Sequence, residues 1–434
     1  MILKLISVSE LNFSSSWEKG WLKIKSLDRF DQCMTVFWLI GPLIYLIERS
    51  PADVWLSLIG VIFLIRCKIK KDWDWTSQLW FRLAILLWAF GLCSATLSPD
   101  PIFSITQGFV WLRFPLYAAA AQVWLAKDRD IRLIMLLFML TGLIIMSLTL
   151  ISEALIEPKT RLTWPYGDTV PGSYLAKFCL PLFCVIFAIA VSKKSKVVIF
   201  MIFLALLSLL ATILTGERVN VLIIFCGGLL AGLIWKPNFY LYSVLIIIQI
   251  FTIIIVANVR PDLSERFVKK FIQQIPILTL SYNDADNYGY WGVWRSGLQQ
   301  GFTTPIIGIG PSGTRKTCTN LNPNSISWLP GKNHCGNHPH NFYIQLFAET
   351  GIIGLIIGIL MFGSIIYSCY RARAENQTCP LSATAFVMPF AFFFPIQQFG
   401  SFYGQWGNLF TWFAIGFALS QYQSWRNVKR NHYK

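Results

Sequence analysis

Charge is scarce in this chain. Only 13% of its 434 residues are Asp, Glu, Lys or Arg, while 55% are hydrophobic. Soluble domains carry about 25% charge, so the apolar side chains here are expected to face lipid and not a watery core boundary. Histidine is scarcer still. There are four, and three of them, His334, His338 and His340, fall within seven residues. The first thirty residues lack a short apolar core with a cleavage site, so no signal peptide is expected. No internal repeat is visible, and no polar block is long enough for a second soluble domain. Acidic residues number 21 against 37 Lys and Arg, a formal charge of +16. In a soluble protein that excess would suggest nucleic acid. Here the basic residues sit in short connections between apolar runs, where they set orientation in a membrane, and no nucleic-acid partner is expected.

What is abundant agrees. Mean hydropathy is +0.54, and the 18 Trp suit a chain bounded by two membrane–water interfaces. Runs long enough to cross a bilayer number about twelve: 33–48, 53–67, 79–98, 102–126, 131–155, 171–192, 196–215, 219–235, 238–258, 341–369, 380–400 and 403–422. Even-numbered exits are basic (Arg66, Lys68, Lys70 and Lys71; Lys127, Arg129 and Arg132; Lys193, Lys194 and Lys196; Lys236; Arg371 and Arg373; the tail with Arg426, Lys429, Arg430 and Lys434), whereas odd exits such as Ser98-Pro99-Asp100 are poor in Lys and Arg. Cytoplasmic connections carry the Lys and Arg excess. The expectation is an all-α polytopic inner-membrane protein with both termini cytoplasmic and a large periplasmic loop between spans 9 and 10. The chain then divides into 1–258 (spans 1–9), 259–340 (the loop) and 341–434 (spans 10–12 and a tail). That loop is too long for a simple connection. It holds two amphipathic stretches, Leu263–Ile275 and Trp291–Gly301, and a turn-rich run from Gly308.

Six of the ten cysteines, Cys67, Cys93, Cys179, Cys184, Cys226 and Cys369, lie in or beside apolar runs, where Cys acts as a small hydrophobe. Cys318 and Cys335 share the polar loop, and a periplasmic loop would favour a disulfide between them. His334, Cys335, His338 and His340 could instead bind zinc, although Pro339 constrains the cluster and no carboxylate accompanies it; no metal is expected.

His340 sits where the loop runs into an apolar helix through Gly351, Gly354 and Gly358. A histidine at the interface suits acid–base work, open to water on one side and to a lipid-borne substrate on the other. The glycines also have a plain packing use, letting a neighbouring helix approach. Arg218 falls at the outer turn between spans 7 and 8, against the positive-inside bias; it would suit diphosphate oxygens or pair weakly with Glu217. Arg113, twelve residues past Pro101, lies about 18 Å along a helix, near mid-membrane, where a charge costs at least ~2.5 kcal/mol. It marks either a functional group or one neutralised by a partner in the bundle. Lys177 could snorkel or line the same cavity, and Arg161, Arg295 and Arg315 are loop cations with phosphate and solvated readings both open.

From His340-Asn341 through nine residues to Gly351, then two residues to Gly354, the chain resembles the O-antigen ligase family, membrane glycosyltransferases that join lipid-linked polysaccharide to lipid A core. Arg218 with Leu222, and Trp294 followed by Pro305-Ile-Ile-Gly308-Ile-Gly310-Pro311, match further parts of the family's pattern. The resemblance departs where many relatives have an Arg four residues before the loop Trp; here stands Tyr290, with Arg295 the nearest substitute. The resemblance implies a GT-C-like architecture, an undecaprenyl-diphosphate-linked glycan donor, a lipid A core hydroxyl as acceptor, and no cofactor. It implies His340 as general base in an inverting transfer. Arg218, Arg295 and Lys177 would be diphosphate contacts, and His338, Arg113 and Arg161 further candidate substrate contacts. O-antigen polymerases and protein O-oligosaccharyltransferases share parts of this loop, and a flippase or transporter of lipid-linked glycan is the reading that needs no base.

Overall fold

The computed structural model describes residues 13–126, 128–157, 161–168, 170–191, 195–235, 239–265, 267, 289–318, 333–373, 380–395 and 400–432. Among these there are helices and no strands. In chain order they are α1 (Phe13–Lys25), α2 (Arg29–Leu39), α3 (Gly41–Ile44), α4 (Arg49–Lys70), a 3-10 turn (Asp74–Ser77), α5 (Leu79–Ala95), α6 (Pro101–Trp111), α7 (Arg113–Trp124), α8 (Arg129–Ile156) and α9 (Pro171–Val191). Then follow α10 (Ser195–Leu214), α11 (Arg218–Trp235), α12 (Phe239–Val259), α13 (Pro261–Ser264), α14 (Gly289–Thr303), α15 (Thr314–Thr317), α16 (Phe342–Arg373), α17 (Pro380–Phe392) and α18 (Trp406–His432).

Local chemistry accounts for many of these ends. The side chains of Asp28, Glu48, Asp100 and Asp128 accept from backbone N–H groups at the starts of α2, α4, α6 and α8, where four donors would otherwise lack partners. Pro101, Pro171, Pro261 and Pro380 open their helices, at the one position where a missing N–H costs nothing.

Among the described residues, two helices are long and apolar enough to cross a membrane by length and composition, α8 and the Phe342–Ala372 part of α16; several shorter apolar helices, α5 and α10 among them, accompany them. Their surfaces point the same way. On α4 the exposed residues include Val54, Leu58, Val61, Ile65 and Ile69, and on α16 Ile352, Ile353, Ile356, Ile359 and Leu360. Each set is one helical stripe, while the opposite faces are buried in protein. A helix apolar on both faces belongs in lipid.

Several expected spans are differently built. The run 33–48 is two short helices, α2 and α3; 102–126 is broken at Leu112 into α6 and α7; and in 380–400 the helix ends at Phe392. Proline and glycine in these runs interrupt the backbone ladder. The amphipathic stretch from Leu263 begins in α13, and residues 266 and 268–288 lie outside the described residues, as do Lys127, Lys193, Lys194 and Lys236. Arg66 and Lys70, two of the basic residues used to orient the chain, are held in an ion-pair network around the buried Asp31: Arg66 bonds Asp31 at 2.8 Å and Asp72 at 2.9 Å, and Lys70 bonds Asp28 at 2.6 Å and Asp31 at 2.9 Å. The orientation rule counts Lys and Arg, not net charge, so their pairing leaves it intact.

The helices close around an aromatic core that joins distant parts of the chain. Trp38 of α2 stacks on Tyr117 of α7 at 4.6 Å and on Phe413 of α18 at 5.5 Å, and the Tyr45 and Tyr117 hydroxyls lie 3.1 Å apart. Along the α7–α18 seam, Gly416 lets the backbone of Ala118 approach, since an added Cβ would stand 3.2 Å from its Cα. Arg113 begins α7 and is neutralised there, with Asp53 of α4 at 2.7 Å and the Ser57 hydroxyl at 3.1 Å.

Candidate active site

At the entrance of α16 the chain departs from a simple spanning helix. Its backbone breaks at Gly351, with φ 63° and ψ −168°, a conformation open essentially to glycine. The segment Pro305–Gly310 fills the break. Ile309 and Gly310 donate to the carbonyls of Ala348 and Glu349 at 3.1 and 2.9 Å, and Ile352 donates to that of Pro305 at 2.8 Å. The fit is so close that a Cβ on Gly351 would stand 2.3 Å from the Ile306 carbonyl carbon, and one on Gly308 2.4 Å from that of Glu349. Gly351 therefore receives a loop, and not the neighbouring helix that the sequence suggested.

Glu349, fully buried, ties the same loop from the side. It accepts from the Ser312 N–H at 2.9 Å, the Thr314 hydroxyl at 2.6 Å and the Gln345 amide at 3.0 Å. The short arm of α16 that carries these acceptors begins at Asn341, whose side chain accepts from the Tyr343 and Ile344 N–H groups and donates to the Pro395 carbonyl at 2.9 Å. That cap sets the residue just before it. His340 has φ 56°, an uncommon conformation for a residue with a Cβ, of the kind that clusters at functional sites. Its ring lies 4.1 Å from that of His338, centroid to centroid.

The histidine loop is braced from behind by α14. Pro339 rests against Gly297, where a Cβ would meet it at 2.8 Å. The His334 N–H donates to the Gly292 carbonyl at 3.1 Å, and the Ser296 hydroxyl donates to the His334 carbonyl at 3.1 Å. Cys318 and Cys335 are joined by a disulfide, Cα atoms 5.5 Å apart. This removes Cys335 from any zinc site, and among the described residues no three His, Cys, Asp or Glu side chains gather as a metal site would require.

His338 and His340 open onto a cavity of about 650 Å³. Arg161, Asp168, Ser173, Tyr174 and Glu217 contribute wall from the ends of α8, α9 and α11. Ser312, Arg315 and Asn337 contribute from the loop, Gln107 from α6, Gly400, Ser401, Gly404 and Gln405 from the turn before α18, and Gly407 from its first turn. Two histidines, two guanidinium groups and polar donors in one cleft can take a proton from a hydroxyl and stabilise an anion. Glu217 accepts from the Gly172 N–H at 2.7 Å and from the Asn220 amide. Burial pushes its carboxyl up to about 8, against the opposing pull of that N–H and of Arg161.

The candidate residues are thus sorted. His340, His338, Arg161 and Arg315 share the cavity. Arg218, half-buried at the first position of α11, follows Glu217 directly but is not part of the wall. Lys177 is buried beneath it, donating to the Ser173 hydroxyl at 3.1 Å and the Gly407 carbonyl at 3.4 Å. Arg295 is buried in α14 and donates to Asn333, which in turn donates to Gln299; burial holds its guanidinium below the ordinary value. Its place is behind the histidine loop. Arg113, paired with Asp53, is outside the cavity.

The sequence model of a family described as O-antigen ligase matches residues 203–359, a stretch that runs from α10 through Arg218 and the loop to His340, Gly351 and Gly354. On that stretch the chain is similar to the O-antigen ligase family. No curated protein matches it. The similarity points to a membrane setting, to lipopolysaccharide biosynthesis and to activity of the glycosyltransferase type.

Most of the cavity wall comes from outside the matched stretch. Arg161, Asp168 and Tyr174 precede it, and the turn from Gly400 to Gly407 follows it. Reading along the chain missed Asp168, Ser173, Tyr174, Ser312, Asn337 and Gln107, and took Glu217 only as a neighbour of Arg218. Gly400, Gly404 and Gly407, three glycines within eight residues between two apolar runs, were the one visible signal for the last segment.

Proposed function

We propose that this chain transfers a glycan from an undecaprenyl diphosphate carrier to a sugar hydroxyl of lipid A core, with inversion at the anomeric carbon. The observation that carries the reading is His340, held at φ 56° beside His338 in a cavity that also holds Arg161 and Arg315. The acceptor hydroxyl attacks the anomeric carbon, and its oxygen forms the new glycosidic bond. The bond from that carbon to the diphosphate oxygen breaks, with its electron pair leaving on the diphosphate. The hydroxyl proton passes to the His340 imidazole, which later returns it to water. Arg161 and Arg315 offset the growing charge on the leaving group, and Arg218, next to Glu217, meets the diphosphate where the lipid enters. The carrier supplies the activated leaving group, so this scheme uses neither nucleotide nor metal. The twelve apolar stretches are taken to cross an inner membrane, with both termini cytoplasmic and the cavity periplasmic.

Membrane vesicles holding the wild-type chain, lipid-linked glycan and lipid A core test the reading. The expected result is a covalent glycan–lipid A core product that His340→Ala abolishes. Product from wild type and variant alike would remove His340 from the chemistry. Growth of the lipid-linked chain instead would identify a polymerase, attachment to protein an oligosaccharyltransferase, and movement of glycan without any new bond a flippase.

A further inference from the structure

The cavity wall has two chemistries. The histidine loop, Arg161, Asp168, Glu217 and Arg315 make it charged or titratable on some stretches, whereas Gln107 and the turn from Gly400 to Gly407 are uncharged. Three features of the uncharged stretch go unexplained by folding alone. First, neither Gly400 nor Gly407 has a positive φ, and among the described residues a Cβ built on either would meet only the other's backbone, at 3.8 to 4.0 Å, an ordinary contact. Neither conformation nor packing asks for glycine there. The space a side chain would take is cavity.

Second, the turn is held from behind at unusual density. Asn408, 1% exposed, directs its amide at the carbonyls of Ser401, Phe402 and Gly404 at 3.1, 2.7 and 2.6 Å. Gln345 donates to the Ser401 hydroxyl at 2.8 Å and accepts from the Phe402 N–H at 2.7 Å. Bare backbone is thereby presented to the cavity in one fixed shape. Third, the side-chain amides of Gln107 and Gln405, both half-buried in this wall, have no hydrogen-bond partner among the described residues.

We propose that Gly400, Gly407, Gln107 and Gln405 form a sugar subsite, in which a pyranose ring lies against the glycine backbone and exchanges hydrogen bonds with the two amides. Glycine lets a ligand approach the backbone closely. An amide offers both donors and an acceptor, as a sugar hydroxyl needs, and carries no charge to attract the diphosphate. The subsite rests on the transferase reading, and it would take either the acceptor sugar of lipid A core or the first sugar of the donor.

The test uses the full chain in lipid nanodiscs with defined lipid-linked glycan and lipid A core. Gln107→Ala and Gln405→Ala are each expected to raise one substrate's KM roughly three- to tenfold, the loss of a neutral hydrogen bond, with kcat nearly unchanged. Gly407→Val should raise it further, and the glutamine variants remain informative if the valine variant folds poorly. A KM rise confined to lipid A core assigns the acceptor sugar, and one confined to the donor assigns its first sugar. Unchanged KM values for both substrates in both glutamine variants would overturn the subsite. If wild type forms no covalent product, the transferase reading fails separately; binding of free core oligosaccharide and of the donor's glycan by wild type and Gln405→Ala then decides the subsite, with equal affinities overturning it.

Discussion

Glu349 allows the sharpest test of how the site is built. Its carboxylate accepts three hydrogen bonds in full burial, from Ser312, Thr314 and Gln345. Glu349→Ala leaves the Ser312 N–H, the Thr314 hydroxyl and one of the two Gln345 amide hydrogens without this acceptor, while Gln345 keeps its bond to Ser401. A buried donor stranded in this way costs about 1–3 kcal/mol; at the low end, because Thr314 can rotate its hydroxyl and water can enter, the three together cost about 3 kcal/mol. Glu349→Gln keeps the shape and one oxygen but turns an N–H₂ toward a donor, so about 1–3 kcal/mol is expected from the one mismatch. Against a total stability of about 5–15 kcal/mol, both are large. The functional effect follows from what Glu349 holds: Ser312 lies in the cavity wall and Arg315 one residue beyond Thr314. Detergent-solubilised protein should melt in the order wild type, Glu349→Gln, Glu349→Ala. The Gln variant should transfer glycan with a raised donor KM, while a fluorescence or scattering melt reports its stability independently. If both variants melt with wild type and transfer normally, the three hydrogen bonds do not organise this wall and the argument from burial is wrong.

Four further outcomes are expected. His340→Ala should lower transfer by ~10²–10⁴-fold without altering the melting temperature, read by product formation in vesicles; activity within a factor of two of wild type would count against a base there. Arg161→Ala and Arg315→Ala should each raise the donor KM and leave acceptor KM alone, whereas Arg218→Lys should impair transfer if its contact is bidentate; both are read by initial rates at varied donor. Gly351→Ala should destabilise strongly, since φ 63° is strained for alanine and its Cβ would stand 2.3 Å from Ile306, and a variant that melts normally would mean the break is not held by Pro305–Gly310. Burial raises the Glu217 carboxyl from 4.5 to about 8; the folded state keeps a proton that the unfolded chain releases, so this group's contribution to stability falls as pH rises from about 4.5 to about 8. Above about 8, an ionised Glu217 should repel the donor diphosphate and raise its KM, and Glu217→Gln should flatten that alkaline rise in a pH series.

Composition and spacing carried the coarse answer. An all-helical, lipid-facing chain was legible in its scarcity of charge, because no sequence this apolar can cover itself with polar surface. His340 was legible because it stands at a set distance from Gly351 and Gly354, and local backbone chemistry, an Asn cap and a glycine break, makes that distance meaningful. The cations were not legible. Arg113, Arg218, Arg295 and Lys177 carry the same charge along the chain, yet one pairs with Asp53, one opens α11 outside the cavity wall, one braces the histidine loop and one lies beneath the wall.

Sequence by itself determined that helices form, where several begin, that they face lipid, and which histidine sits at a helix entrance; all of these are set by neighbours within a few residues or by overall composition. Only the tertiary structure decided which polar groups share the cavity. Arg161, Glu217, Arg315, His340 and Gly407 lie on five separated segments, and what brings them together is the packing of α9, α16 and α18 with the loop threaded into the break at Gly351, long-range contacts that no local pattern encodes.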